Sequence, residues 1–316
     1  MRAFVFPGQG SQKVGMGADL AEASSAAREV FEEVDDALED KLSKLMRDGP
    51  EADLTLTANA QPAIMANSIA TLRVLESEFD VSLASVADYV AGHSLGEYSA
   101  LCAARAYSLA DTARLLRLRG EAMQDAVPVG VGAMCALLGA DIDQAGKLAE
   151  AAAQGDVCEI ANDNDPTQVV LSGHVAAIER AVEMAKEYGA RRAMPLPVSA
   201  PFHCALMEPA AARMDAAIAA SMPSPPILPL FANVTARPVA DPDEIHELLV
   251  KQVTGRVRWR ESAAAMADAG VTMFVELGGK VVSPMIKRST ENTETVSVIT
   301  MQECEALAKS ISMGGV

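Results

Sequence analysis

The amino-acid sequence predicts an α/β protein: a hydrolase-like large domain interrupted by a ferredoxin-like subdomain. Three observations predict it. Gly92-His93-Ser94-Leu95-Gly96 has the small-x-Ser-x-small pattern of a nucleophile elbow, and it joins a strand-like "DYVAGH" to a helix-like "SLGEYSALCAARA". The middle of the chain changes rhythm and reads β-α-β-β-α-β over roughly residues 128–199. Beyond it, strand-like "LPLFANVTA" and "TMFVELGG" return the chain to the large domain, which is assigned to 1–127 and 200–316.

The elements follow in order. "RAFVFPGQGSQ" reads as a buried strand running into a glycine-rich turn. "NAQPAIMANSIATLRVLESEF" reads as a helix: Pro62 suits its first turn, and Met65, Ile69, Leu72 and Phe79 fall on one stripe. The strand and helix of the elbow come next, and "LADTARLLRLRGEAMQDAV" is a further helix. In the middle region "GAMCALLGA" reads as a strand and residues 143–154 as a helix. "VCEIANDND" and "TQVVLSGH" read as two strands joined by an Asn/Asp/Pro turn. Residues 175–188 read as a helix, and "ARRAMPLPVS" as the closing strand.

Composition narrows the function. With 316 residues, half of them apolar, the chain has material for a sizeable core. A net charge of −17 argues against a nucleic-acid binder, which normally shows a basic face. Five dispersed cysteines with no C-x-x-C pair suggest reduced thiols in a cytoplasmic protein and argue against structural zinc. The first apolar run is too short for a signal peptide, and no 18-residue apolar segment offers a membrane span.

A serine nucleophile needs a base, and the chain has four histidines. His93 is inside the elbow, where its ring should point away from the Ser94 oxygen. His246 lies in an acidic helix, and His174 ends a strand of the subdomain. His203 follows a strand among Pro195, Pro197 and Pro201, a stiff mount for a side chain that must be held still. Asp163 and Asp165 fall where a hydrolase triad would place its acid, yet they sit in a turn-like Asn-Asp-Asn-Asp run, and no convincing third member emerges. In "ARLLRLRGEAM", Arg114 and Arg117 share a solvated stripe with Asp111, Gly120 and Glu121. Arg119 instead faces Leu115, Leu116, Ala122 and Met123. Either an internal acid or snorkelling satisfies it, or its partner is a carboxylate brought by the substrate.

Several segments, in order and spanning residues 4 to about 288, together resemble the malonyl-CoA:acyl-carrier-protein transacylase family of fatty acid synthesis. They are "FVFPGQGSQKVGMG", "AGHSLGEYSAL", "LRLRGEAMQ", "VGAMCALLG", "ANDNDPTQVVLSG", "PLPVSAPFHCALM", "FANVTARPV" and "KQVTGRVRW". The resemblance implies roles. Ser94 would carry the acyl group and His203 would be the base. Arg119 would bind the malonyl carboxylate, so slow acetyl transfer should be unchanged or improved in its absence. Gln252 would orient His203 through its backbone carbonyl, replacing the missing acid. The amides of Gln9 and Leu95 would form the oxyanion hole, and Asn162 would line the cleft between the domains. Phe202 before the base histidine goes with malonyl in related acyltransferases. The partners implied are malonyl-CoA and acyl carrier protein. CoA and phosphopantetheine arrive as parts of these substrates, with no further cofactor or metal. Rival readings are a standalone polyketide-type acyltransferase and a serine hydrolase or thioesterase.

Two segments depart from the family pattern: "ELGGKVVSP" is one residue shorter in its turn, and "QVTGRVRW" has Thr-Gly-Arg where a proline is common. Because carrier proteins are generally acidic, docking should fall to local basic clusters. Lys186, Arg191 and Arg192 are candidates, with Lys287 and Arg288.

Overall fold

The computed structural model describes residues 1–198 and 200–312; Ser199 and the last four residues, both within segments assigned above, lie outside the described residues. Among the described residues, ten strands form two sheets. They are β1 (Arg2–Phe6), β2 (Tyr89–Gly92), β3 (Gly132–Leu138), β4 (Cys158–Asp165), β5 (Gln168–His174), β6 (Arg192–Pro195), β7 (Leu230–Ala232), β8 (Arg237–Val239), β9 (Met273–Leu277) and β10 (Glu294–Val298).

The large sheet has the order β10-β9-β1-β2-β7-β8. Its first five members run parallel, and β8 returns antiparallel as a short edge. Helices cover both of its faces, so β1 and β9 read as nearly unbroken apolar runs. The register sets β1 and β2 to finish together, with Phe6 opposite Gly92. The glycine-rich turn after β1 and the elbow after β2 therefore emerge side by side at one end of the sheet. The second sheet is antiparallel, with the order β4-β5-β3-β6, and two helices, Ile142–Ala153 and Val175–Met184, pack on it to close a separate small core. The predicted α/β class and the ferredoxin-like order of elements are those of the structure.

Three expectations need correction. The helix Thr57–Phe79 starts two residues early, and it is buried around most of its circumference from Ala60 to Leu75 instead of along one stripe. The helices Ser25–Leu38 and Leu109–Asp125 pack against it, so it lies inside the large domain. Gly120 is not on a solvated stripe. A Cβ there would come 2.5 Å from the Ala58 Cα, so a glycine is what lets these helices cross closely. The Asn-Asp-Asn-Asp run is the end of β4, with the turn at Pro166 and Thr167.

That strand settles the two acids. Asp163 accepts a forked pair of bonds from Arg260, at 2.8–3.1 Å, and Asp165 pairs with Arg288 at 2.7 Å. Beside them Asp163 N donates to Val257 O, and Val257 N to Ala161 O. Both carboxylates thus clamp the subdomain to the large domain and are taken away from the serine. Arg288, suggested above for docking, is engaged in this clamp. The two departures from the family pattern also have local causes. Buried Glu276 accepts from the amides of Val281, Val282 and Ser283, which closes the "ELGGKVVSP" turn. Gly255 ends the helix Pro242–Thr254 where a Cβ would meet Lys251 O at 2.6 Å.

No helix of the described residues is long and apolar enough to cross a membrane.

Candidate active site

Ser94 stands between β2 and the helix Gly96–Ala103 with φ 53°, a left-handed conformation rare for a residue with a Cβ. The surrounding packing enforces it. A Cβ on Gly92 would lie 1.9 Å from the Gly96 carbonyl, and one on Gly96 would lie 2.4 Å from Phe6 O. Asn233, just after β7, clasps the turn from below. Its Oδ1 accepts from Ser94 N at 2.8 Å, and its Nδ2 donates to Gly92 O at 2.7 Å.

His203 is the second strained residue, at φ 58°. Its Nε2 is 2.8 Å from Ser94 Oγ, and its Nδ1 is 2.8 Å from the carbonyl of Gln252. A carbonyl only accepts, so Nδ1 carries the proton and Nε2 presents its lone pair to the serine hydroxyl. Burial pushes the imidazole pKa down to about 3, with the Arg119 charge adding to it. The ring is therefore neutral at any physiological pH.

Arg119 is buried beside them, with 1% of its surface exposed. Nη1 donates to Gln61 Oε1 at 2.8 Å; Nη2 donates to Gln252 Oε1 at 2.8 Å and reaches Ser94 Oγ at 3.2 Å. All three partners are uncharged. Its Nε has no partner among the described residues, and the guanidinium carbon lies 5.7 Å from the Tyr98 ring centroid. Burial lowers its pKa, as expected for a cation held out of water.

A cleft of about 290 Å³ opens onto Ser94 between the two sheets. Gln9, Leu95, Asn162 and Phe202 line it along with Ser94, His203 and Arg119, so the sequence-predicted residues meet at one place. Gln252 joins through its carbonyl and its amide. No hydrogen-bond partner is seen among the described residues for the backbone N–H of Gln9 or Leu95. Two such donors flanking a nucleophile are what a developing oxyanion needs. The remaining histidines are tied elsewhere: His174 accepts from Val157 N, and His246 bonds Asp215. His93 lines the cleft, its Nε2 held 2.8 Å from Asn164 Oδ1.

Sequence reasoning missed four of these groups: Gln61, Glu97, Asn164 and Asn233. Glu97 is wholly buried on the elbow helix, and burial raises its pKa to about 7. The available signal was a lone carboxylate in "GEYSALCA", a run that is otherwise apolar or small. For Asn164 the signal was strand alternation: Asn162 and Asn164 serve the cleft, while Asp163 and Asp165 serve the clamp.

The comparisons with known proteins agree with this geometry. A family profile described as "Acyl transferase domain" matches residues 3–303. The malonyl CoA-acyl carrier protein transacylase of Bacillus subtilis is 43% identical over 94% of this chain and 92% of its own. The protein of the same name from Escherichia coli K12 is 42% identical over 98% and 99%. Among solved structures, an acyl-carrier-protein-S-malonyltransferase from Bartonella henselae superposes with a TM-score of 0.96 at 51% identity, covering 98% of this chain and 99% of that one. A malonyl-transacylase in complex with its type II PKS acyl-carrier protein superposes with a TM-score of 0.94 at 37% identity, over 98% and 99%.

Proposed function

The chain belongs to the acyl transferase family, among the malonyl CoA-acyl carrier protein transacylases, and from this premise we propose that it moves a malonyl group from malonyl-CoA to acyl carrier protein through Ser94. One observation carries the reading. A buried guanidinium, bonded among the described residues only to neutral groups, stands 3.2 Å from a serine oxygen that is itself 2.8 Å from a neutral imidazole. A nucleophile, its base and a site for a carboxylate thereby share one cleft.

The steps follow from the atoms. His203 Nε2 takes the Ser94 proton as Oγ attacks the thioester carbonyl. The amides of Gln9 and Leu95 hold the oxyanion, and Arg119 holds the malonyl carboxylate by its fork. Collapse breaks the C–S bond, and the CoA thiolate leaves with the proton from His203. In the second half, His203 takes the proton of the phosphopantetheine thiol, and the thiolate attacks the malonyl ester. Ser94 then leaves and recovers that proton. The overall exchange trades one thioester for another, so the protein needs no metal or nucleotide to drive it. The service is fatty acid synthesis; the PKS carrier bound to one structural relative makes a polyketide carrier the second reading. Five free cysteines, all buried, suit a reducing cytoplasm.

The test is intact mass after exposure to malonyl-CoA, followed by addition of holo acyl carrier protein. One malonyl group should appear on Ser94, be absent in Ser94→Ala, and pass to the carrier faster than to water. His203→Ala should acylate about 10²–10⁴ times more slowly. Hydrolysis outrunning transfer, or label on another residue, would overturn the reading.

A further inference from the structure

We propose that Glu97 is a positioning residue for malonyl selectivity: its oxygens fix which way the Gln252 amide faces, and through that amide they hold Arg119 for the substrate carboxylate. The inference rests on the reading that Arg119 receives this carboxylate.

Glu97 lies in the first turn of the elbow helix, three residues after the nucleophile. Its Oε2 accepts from Gln252 Nε2 at 2.6 Å, and its Oε1 accepts from the backbone N–H of Asn233 at 3.3 Å. The second hydrogen of Gln252 Nε2 goes to the Ser94 carbonyl at 2.8 Å. The Ser94 carbonyl only accepts, and so does the ionised Glu97 carboxylate, both of whose oxygens face N–H donors. Turning the amide over would set its oxygen against two other oxygens, so Gln252 Oε1 is left facing Arg119 Nη2 at 2.8 Å. Arg119 only donates. The order of donors and acceptors thus runs one way, from guanidinium to amide to carboxylate.

A glutamine at position 97 could not accept from both of the donors that face Glu97. Its NH₂ would face either the Asn233 N–H or Gln252 Nε2, each a donor. In the second case Gln252 turns over and presents N–H groups to a guanidinium. The amide between the two charges also has a purpose. Glu97 touching Arg119 directly would occupy the place a substrate carboxylate must take. Placed one side chain back, its ionised form supplies the opposite charge in the buried network and leaves Arg119 Nε without a protein partner among the described residues.

The test measures Ser94 acylation by malonyl-CoA and acetyl-CoA in the full chain, for Glu97→Gln, Gln252→Ala and the double variant, with folding checked by thermal melts. Gln252→Ala keeps the carbonyl that bonds His203. The malonyl:acetyl ratio of kcat/KM should fall about 10-fold or more in each single variant, the size expected for losing a buried bond to a charged group. It should fall no further in the double variant, because both changes break one path. A mere loss of packing would lower both substrates alike. An unchanged ratio in folded Glu97→Gln, or two losses that multiply in the double variant, would overturn the proposal. If Glu97→Gln does not fold, Glu97→Ala is read in its place by the same criteria, and an unchanged ratio in Gln252→Ala overturns the proposal by itself. Arg119→Ala in the same assay separates the two levels. If it leaves the ratio unchanged, the carboxylate reading itself fails; if it lowers the ratio while Glu97→Gln does not, only the role of Glu97 fails.

Discussion

Replacing Arg119 by alanine would take three things from the site. The first is the pair with the substrate carboxylate. Breaking a buried pair by removing one partner costs about 3–5 kcal/mol, so malonyl kcat/KM should drop by about 10²–10³ or more. The second is the donor at Ser94 Oγ. At 3.2 Å it is long for a charge-assisted bond, and its loss should slow every acyl donor by about 10-fold or less. Acetyl transfer, expected from the sequence to be unchanged or improved without Arg119, should therefore fall slightly, and the malonyl:acetyl ratio becomes the quantity to read. The third is structural. Gln61 Oε1 and Gln252 Oε1 would each lose a donor at 2.8 Å in a buried place, at about 1–3 kcal/mol apiece. Relief of the burial penalty on the charge offsets part of this. Rapid-quench acylation followed by intact mass, on protein shown to be folded by its melt, measures both rates. Arg119→Lys should recover only part of the ratio, since an ammonium cannot reproduce the fork. A folded Arg119→Ala that slows malonyl and acetyl equally would refute selection by the guanidinium.

Gly96→Ala should destabilise the protein by about 2–3 kcal/mol or more in a denaturant melt, because the new Cβ falls 2.4 Å from Phe6 O and 2.8 Å from Pro7 O, both fixed backbone. His203 titrates at about 3 when folded against an ordinary value near 6.5, so the unfolded chain binds more protons between those limits. Its contribution to stability is complete above pH 6.5 and is lost as pH falls toward 3, about 2 kcal/mol of it between pH 7 and pH 5. Melts of wild type and His203→Gln should therefore show the wild type losing more over that range, and parallel curves would contradict the assignment. Reversing the charges of exposed Lys186, Arg191 and Arg192 together should raise KM for acyl carrier protein several-fold and spare malonyl-CoA, at about 0–1 kcal/mol per exposed pair. Movement of both constants together would remove these residues from docking.

The parts of the fold legible in the sequence are those governed by local pattern. The elbow announces itself through Gly92 and Gly96, because only glycine tolerates those approaches, and the subdomain through its strand–helix rhythm. Arg119 was legible because a cation amid leucines is a local contradiction. What the sequence hid depends on tertiary partners. The helix Thr57–Phe79 showed one stripe, Met65, Ile69, Leu72 and Phe79, because local pattern registers only its large apolar members; Ala66, Asn67 and Ser68, small or polar, are buried as well, against neighbouring chain. Asp163 and Asp165 looked like turn residues because their arginine partners lie about a hundred positions away, in Arg260 and Arg288. Asn233 was hidden for the same reason: its role exists only once β7 is laid beside β2.

Under the proposed function, the absence of a third triad member has a chemical reason. A carboxylate behind the imidazole stabilises its cation, which matters when a poor leaving group must be fully protonated to depart. In the first half-reaction a thioester releases a thiolate whose parent acid has a pKa of roughly 8.5, so less proton transfer is needed at its departure; in the second, Ser94 Oγ leaves with the proton that His203 has just taken from the thiol. The neutral carbonyl of Gln252 then suffices to fix the tautomer of His203. The charge that does act on this base is that of Arg119, and it acts against protonation. A malonyl carboxylate bound to the fork offsets that charge as it arrives. The imidazole becomes a stronger base when the cleft holds the carboxylated substrate than when it holds acetyl. Selection by Arg119 is thereby expressed in the rate of the chemical step as well as in binding, which is the form of discrimination that raises kcat.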